Sequence, residues 1–143
     1  MTDIIIQGFY GRMGRALQEK IAARGDCRVV AGIDKAPGAA GAVPVYAALS
    51  ELPENCRGVI IDFSGAAGAV EAARYAAGHG LPCVICSTGL SKADEAVLEA
   101  ASEKIPLFRS ANMSLGVNVL IELCRHAVTL FGGEFDIEIV EKH

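Results

Sequence analysis

The chain has 143 residues, 52 % of them hydrophobic and 21 % charged, with a formal net charge of -4. With no Lys/Arg cluster, that balance argues against nucleic acid or an anionic membrane surface as the main partner and leaves room for a small anionic ligand held by a few placed donors. A chain of this length buries roughly 70 % of the surface its unfolded form exposes, enough for one domain over 1–143 without a disulfide or metal, and no apolar run nears the roughly 20 residues that span a bilayer, so the expected location is the cytoplasm.

The first strand is expected over 3–7, around Ile4-Ile5-Ile6, and runs into Gly8-Phe9-Tyr10-Gly11-Arg12-Met13-Gly14. A helix follows over 12–24, with Met13, Leu17 and Ile21 as its apolar stripe and Gln18, Lys20 and Arg24 in water. A second strand over 28–33 ends at Asp34. The Gly- and Pro-containing segment 35–57 is expected as loop with at most one short helix near 46–51. Then come a strand over 58–63, a helix over 66–78, a strand over 81–86 and a helix over 92–104. Ser91 is the expected N-cap of the last of these, with Asp94 and Glu95 at its positive end. A strand over 106–109, a helix over 115–131 and an alternating strand over 135–141 complete the chain. Apolar runs alternating with helical patterns indicate a Rossmann-type α/β fold, an open and mostly parallel sheet with helices on both faces.

The glycine-rich stretch leaves a strand and enters a helix, the context a dinucleotide fingerprint requires. Glycines permit the tight turn, and the helix N-terminus offers unpaired N–H groups and a positive dipole end to a pyrophosphate. The spacing is G-x-x-G-x-x-G, with Phe9 where G-x-G-x-x-G has its first glycine. Asp34 stands twenty positions after Gly14, where the fingerprint places an acid for the ribose hydroxyls. Lys35 beside it offsets the repulsion Asp34 would exert on a 2'-phosphate, and Arg12 is within reach of the adenosine phosphate side. Use of both NADH and NADPH is therefore expected, with a modest preference at most.

Gly11-Arg12-Met13-Gly14, Asp62-Phe63-Ser64, Ser87-Thr88-Gly89, Ser110-Ala111-Asn112-Met113-Ser114, Gly116-Val117-Asn118 and Glu141-Lys142-His143 occur in that order along the whole chain. The set resembles dihydrodipicolinate reductase, also called 4-hydroxy-tetrahydrodipicolinate reductase. The resemblance implies an NAD(P)H-dependent reductase of the diaminopimelate route to lysine, acting on an unsaturated dicarboxylate ring. It implies that Ser64, Cys86, Ser87, Thr88, Ser110, Ala111, Asn112 and Met113 lie over the nicotinamide half of the cofactor, with Gly8, Phe9, Tyr10, Gly11, Arg12, Met13 and Gly14 forming the turn. His143 matches the first of the family's two adjacent histidines, the proposed acid/base. The rest of that motif, and the second domain that in the family binds substrate and forms a tetramer, have no counterpart here. The chain is expected to be the cofactor domain, cut at its sixth strand, binding dinucleotide but catalytically incomplete. Cys86 stands where many members have glycine, Ser64 where many have threonine and Met113 where some have phenylalanine.

Two other readings carry a dinucleotide as well: a non-catalytic sensing module, and the cofactor domain of another amino-acid dehydrogenase. Cys83-Val84-Ile85-Cys86 has C-x-x-C spacing, but strand periodicity sends its two thiols to opposite faces, which argues against a redox pair. With an odd five cysteines, reduced thiols are expected, and no metal site is expected. His79 before Gly80 reads as a helix C-terminal residue.

Overall fold

The computed structural model describes residues 1–133 and 135–140. The chain divides into two compact units, Met1–Ala111 and Asn112–His143.

In the first unit, strands β1 (Thr2–Gln7), β2 (Cys27–Ile33), β3 (Gly38–Ala40), β4 (Val43–Tyr46), β5 (Val59–Asp62), β6 (Cys83–Ile85) and β7 (Leu107–Arg109) form one sheet in the order β3-β4-β2-β1-β5-β6-β7. Six strands are parallel, and β3 pairs antiparallel to β4 at the edge. Helices α1 (Arg12–Ala22), α2 (Ala66–His79) and α3 (Lys92–Ser102) make the connections, with a short 3-10 turn at Leu49–Glu51. The sheet is of the expected open Rossmann type.

The centre is β1, whose β-branched run Ile4-Ile5-Ile6 is buried on both faces, as a central parallel strand requires. Ile5 joins Ile60, Ile85, Leu98 and four fully buried alanines of α2 on one face. Ile4 and Ile6 join Phe9, Ile21 and Val45 on the other, beside α1. Burying each such isoleucine contributes roughly 1.5–3 kcal/mol. From β1 the chain winds outward through β2 and β4, then returns to build β5, β6 and β7 on the opposite side. That reversal opens a crevice beyond the carboxyl ends of β1 and β5, where open parallel sheets take their ligands.

The structure changes three sequence expectations. Segment 35–57 contains β3 and β4 as well as the short helical turn, because Val43 and Val45 reach the α1-side core while Tyr46 turns to the other. Met13 is exposed, and Gly14, Leu17 and Ile21 form the inner face of α1 instead; Gln18 is half-buried and bonded to backbone rather than left in water. Residues 135–140 form no strand, since alternation makes a strand only where a neighbouring strand takes its backbone bonds; Glu141 lies outside the described residues.

The remaining elements follow their local chemistry. Ser91 and Asp94 form a reciprocal capping box at α3, and α2 ends at His79 with Gly80 in the left-handed conformation. The second unit carries α4 (Leu115–Phe131), whose N-cap Ser114 accepts from Val117 N–H.

Phe9 is 1 % exposed and its ring lies against Gly32 of β2, so that a Cβ on Gly32 would overlap the ring. Gly32→Ala is therefore expected to cost about 1–3 kcal/mol in a urea titration, and Phe9→Leu in the same chain to recover part of it.

Candidate functional site

The turn after β1 is held by backbone. Gly8 and Phe9 N–H both donate to Ile33 O, at 2.9 and 3.2 Å, and Gly11 N–H donates to Gly8 O at 3.1 Å. Gly8 has φ +80°, which disfavours any other residue. A Cβ on Gly14 would fall on Gly8 O and close to Phe9 O, so α1 packs directly against the turn. Gln18 Nε2 fastens both pieces, donating to Phe9 O at 2.7 Å and to Gly14 O at 3.2 Å. Gly11, the N-cap of α1, supplies no side-chain cap, so the first N–H groups of the helix are left to water or a ligand.

Asp34 follows β2, and its Oδ2 accepts from Tyr10 N–H at 2.8 Å. The acid expected to read a ribose thus also ties down the glycine turn. Tyr10 packs edge-on against Phe9, ring centroids 5.2 Å apart. Arg15 Nε donates to Tyr10 O at 3.0 Å.

At the carboxyl end of β5 a carboxylate is fully buried. Asp62 Oδ1 accepts from the N–H and the hydroxyl of Ser64, and Oδ2 from the Ser87 hydroxyl at 2.6 Å. A charge this deep needs such donors to be tolerated. It joins the carboxyl ends of β5 and β6, and it commits the hydroxyl protons of both serines, which then offer a ligand only lone pairs. Gly65, the N-cap of α2, also supplies no side-chain cap.

These parts surround a cleft of about 720 Å3 lined by Gly8, Tyr10, Gly11, Asp34, Lys35 and Ser64, together with the first turn of α2. A cleft of this volume accommodates a small organic cofactor. Its form is a glycine turn between two uncapped helix starts, with an acid on the β2 side.

A family model described as dihydrodipicolinate reductase, N-terminus, matches residues 2–113. The chain belongs to this family. The N-terminal domain of dihydrodipicolinate reductases binds pyridine nucleotide. A 4-hydroxy-tetrahydrodipicolinate reductase of Caldanaerobacter subterraneus is 44 % identical over 143 residues, all of this chain and 56 % of the relative. One from Clostridium botulinum is 40 % identical over 146 residues, again covering all of this chain and 56 % of the relative. The chain thus spans a little over half the length of these curated relatives. A dipicolinate-bound dihydrodipicolinate reductase from Paenisporosarcina shares the fold at TM-score 0.75 and 19 % identity, over 90 % of this chain and 54 % of that one. Aspartate dehydrogenase of Thermotoga maritima shares it at TM-score 0.61 and 14 % identity, over 85 % and 51 %.

The other expected site residues are placed as follows. Phe9 lies beneath the turn, not in the cleft wall. Arg12 and Met13 open α1, exposed and outside the cleft lining. Cys86, Ser87 and Thr88 follow β6, and Ser110 and Ala111 follow β7, with Ser110 N–H on Ile85 O at 3.1 Å. Asn112 and Met113 belong to the second unit, where Asn112 Oδ1 accepts from Ser114 N–H at 2.8 Å. His143 lies outside the described residues. Sequence reading missed Gln7 and the α2 turn Gly65-Ala66-Ala67-Gly68 as cleft wall; the positive φ of Gly65 is a backbone signal with no sequence motif to announce it.

All five cysteines are free thiols. His79 Nδ1 lies 2.8 Å from Tyr75 O, with the two rings stacked, away from the cleft. Among the described residues no His, Cys, Asp or Glu cluster could hold a metal.

Asp62→Asn is expected to lower stability by about 2 kcal/mol in urea, because it removes the charge that strengthens three hydrogen bonds. Burial pushes the Cys83 thiol up to about 12 and the Cys86 thiol to about 11, from an ordinary 9.0, and the Asp62 carboxylate adds to both shifts. Their stabilising effect is complete below pH 9 and is lost as pH rises through the folded values, since the unfolded chain releases these protons first. Urea midpoints should accordingly fall as pH rises from about 9 to about 12, less steeply in a Cys83→Ala, Cys86→Ala chain.

Proposed function

We propose that the chain is the cofactor-binding domain of an NAD(P)H-dependent 4-hydroxy-tetrahydrodipicolinate reductase. The observation that carries this is the bond from Tyr10 N–H to Asp34, which sets an acid beside a glycine turn at the start of α1. In this reading the pyrophosphate lies over Gly8 to Gly11 against the helix N–H groups. Asp34 spends one oxygen on Tyr10 and turns the other to the adenosine ribose. The bound dinucleotide supplies a hydride. The chain's own residues bind and orient it: Asp62, through Ser64 and Ser87, holds the two loops over the nicotinamide half, which Cys86, Thr88, Ser110 and Ala111 complete.

His143 is the proposed proton donor, an imidazole having an ordinary pKa near working pH. Recognition of the dicarboxylate substrate and assembly as a homotetramer are assigned to the length by which the relatives exceed this chain. The isolated chain is then a cofactor binder with little or no turnover. A cytoplasmic location fits five free thiols and a biosynthetic family.

Lys35 is exposed in the cleft wall beside Asp34, which supports use of both cofactors. Titration of nicotinamide fluorescence should show NADH and NADPH bound with a modest preference; a preference above about a thousandfold overturns dual use, and absence of both signals overturns the dinucleotide reading. Lys35→Ala should weaken NADPH about fivefold and leave NADH nearly unchanged, because only the 2'-phosphate needs the ammonium.

A further inference from the structure

Gln7 ends β1 on the α2 side and is 4 % exposed. Its Nε2 donates to Gly68 O at 3.2 Å, which fixes which way round the amide sits. Its Oε1 is buried without any hydrogen-bond partner. Folded proteins keep few such groups, and each calls for an explanation. The corner is closely fitted: a Cβ on Gly68 would overlap Ser64 Oγ and come within 2.9 Å of Gln7 Nε2. Gln7, Ser64, Gly65 and Gly68 all stand in the cleft wall.

The chemistry of the corner selects its occupant. Oε1 only accepts, so it repels a phosphate, while the uncapped N–H groups at the start of α2 only donate. A hydroxyl satisfies both, because it donates and accepts at once. The sheet order says which hydroxyl. Asp34 follows β2 on one side of β1, and α2 follows β5 on the other, with the glycine turn between them. A dinucleotide whose pyrophosphate lies on that turn reaches one way to Asp34 with its adenosine ribose. It reaches the other way to Gln7 with its second ribose.

We propose that Gln7 is a positioning residue for the nicotinamide-side ribose, its Oε1 accepting a hydrogen bond from a hydroxyl of that sugar. This rests on the dinucleotide reading above. Gln7 thereby fixes where the nicotinamide ring leaves the sugar, without touching the ring.

The test titrates the wild-type chain and Gln7→Met, which keeps the length of the side chain, with NADH, ADP-ribose and ADP by calorimetry. The expected result is affinity for NADH and ADP-ribose weakened about 5- to 30-fold, ADP unchanged, and a melting temperature no lower than wild type. Equal weakening of ADP makes the role structural and overturns the proposal. Weakening of NADH alone places the donor on the nicotinamide carboxamide and overturns the ribose assignment. Gln7→Leu is read in the same way, and loss of fold in both variants, seen by circular dichroism, also overturns it. Wild type that binds none of the three overturns the dinucleotide reading and this proposal with it. Wild-type binding that the variants retain undiminished overturns this proposal alone.

Discussion

The site depends on how closely two pieces of backbone approach. Gly8 O occupies the place where a side chain on Gly14 would begin, so α1 starts directly beneath the turn, with its N-cap Gly11 in the cleft wall and its first N–H groups without a side-chain acceptor. A methyl at position 14 would lift the helix off the turn and carry those donors away from any anion above it. Gln18 reinforces the contact by bonding to a carbonyl on each side, Phe9 O and Gly14 O. The aromatic ring of Phe9 enters this tight arrangement only because Gly32, which pairs with Ile6 across β1 and β2, leaves room for it. A large residue in the turn and a missing side chain in the neighbouring strand are one packing solution.

Two buried polar side chains at the carboxyl edge behave differently for reasons of charge. Asp62 lies at 0 % exposure, and the fold surrounds it with three donors, because an unpaired carboxylate there would cost far more than any single hydrogen bond returns. Its work is internal: it sets the loops that follow β5 and β6. Gln7 is neutral, so leaving one of its atoms unpaired is tolerable, and the fold satisfies only its nitrogen. An unmet acceptor beside an open cleft can be met by a ligand, whereas a fully paired carboxylate cannot change partners without breaking the edge of the sheet.

Elements whose own residues carry the full hydrophobic period are legible from the amino-acid sequence alone. The Ile4-Ile5-Ile6 strand, the four helices and the Ser91 cap stand within a few residues of their expected bounds. The short strands β3 and β4 are not legible in this way, because Gly38, Gly41 and Pro44 punctuate them and only pairing to β2 makes Val43 to Tyr46 extended. Met13 is misplaced by periodicity because hydrophobicity outranks size there: the position that faces the sheet is held by Gly14, whose lack of a side chain is what the packing requires. At 135–140 the alternation is real but no strand is formed by these described residues. In the site, the glycines and Asp34 announce themselves by spacing. Gln7 does not, since a glutamine ending an apolar strand looks polar and exposed until Gly68 O is placed beside it.

The net charge of -4 is compatible with an anionic ligand because binding answers to the local field. Two helix starts without side-chain caps, each with the equivalent of roughly half a positive charge, face the cleft from α1 and α2, and Lys35 adds a full one. Against these stand Asp34 and Glu71. The bond from Tyr10 N–H partly offsets the Asp34 charge and holds the carboxylate to one side of the turn. The same hydrogen bond that fixes the shape of the turn thus draws off part of the one negative charge that stands directly against it.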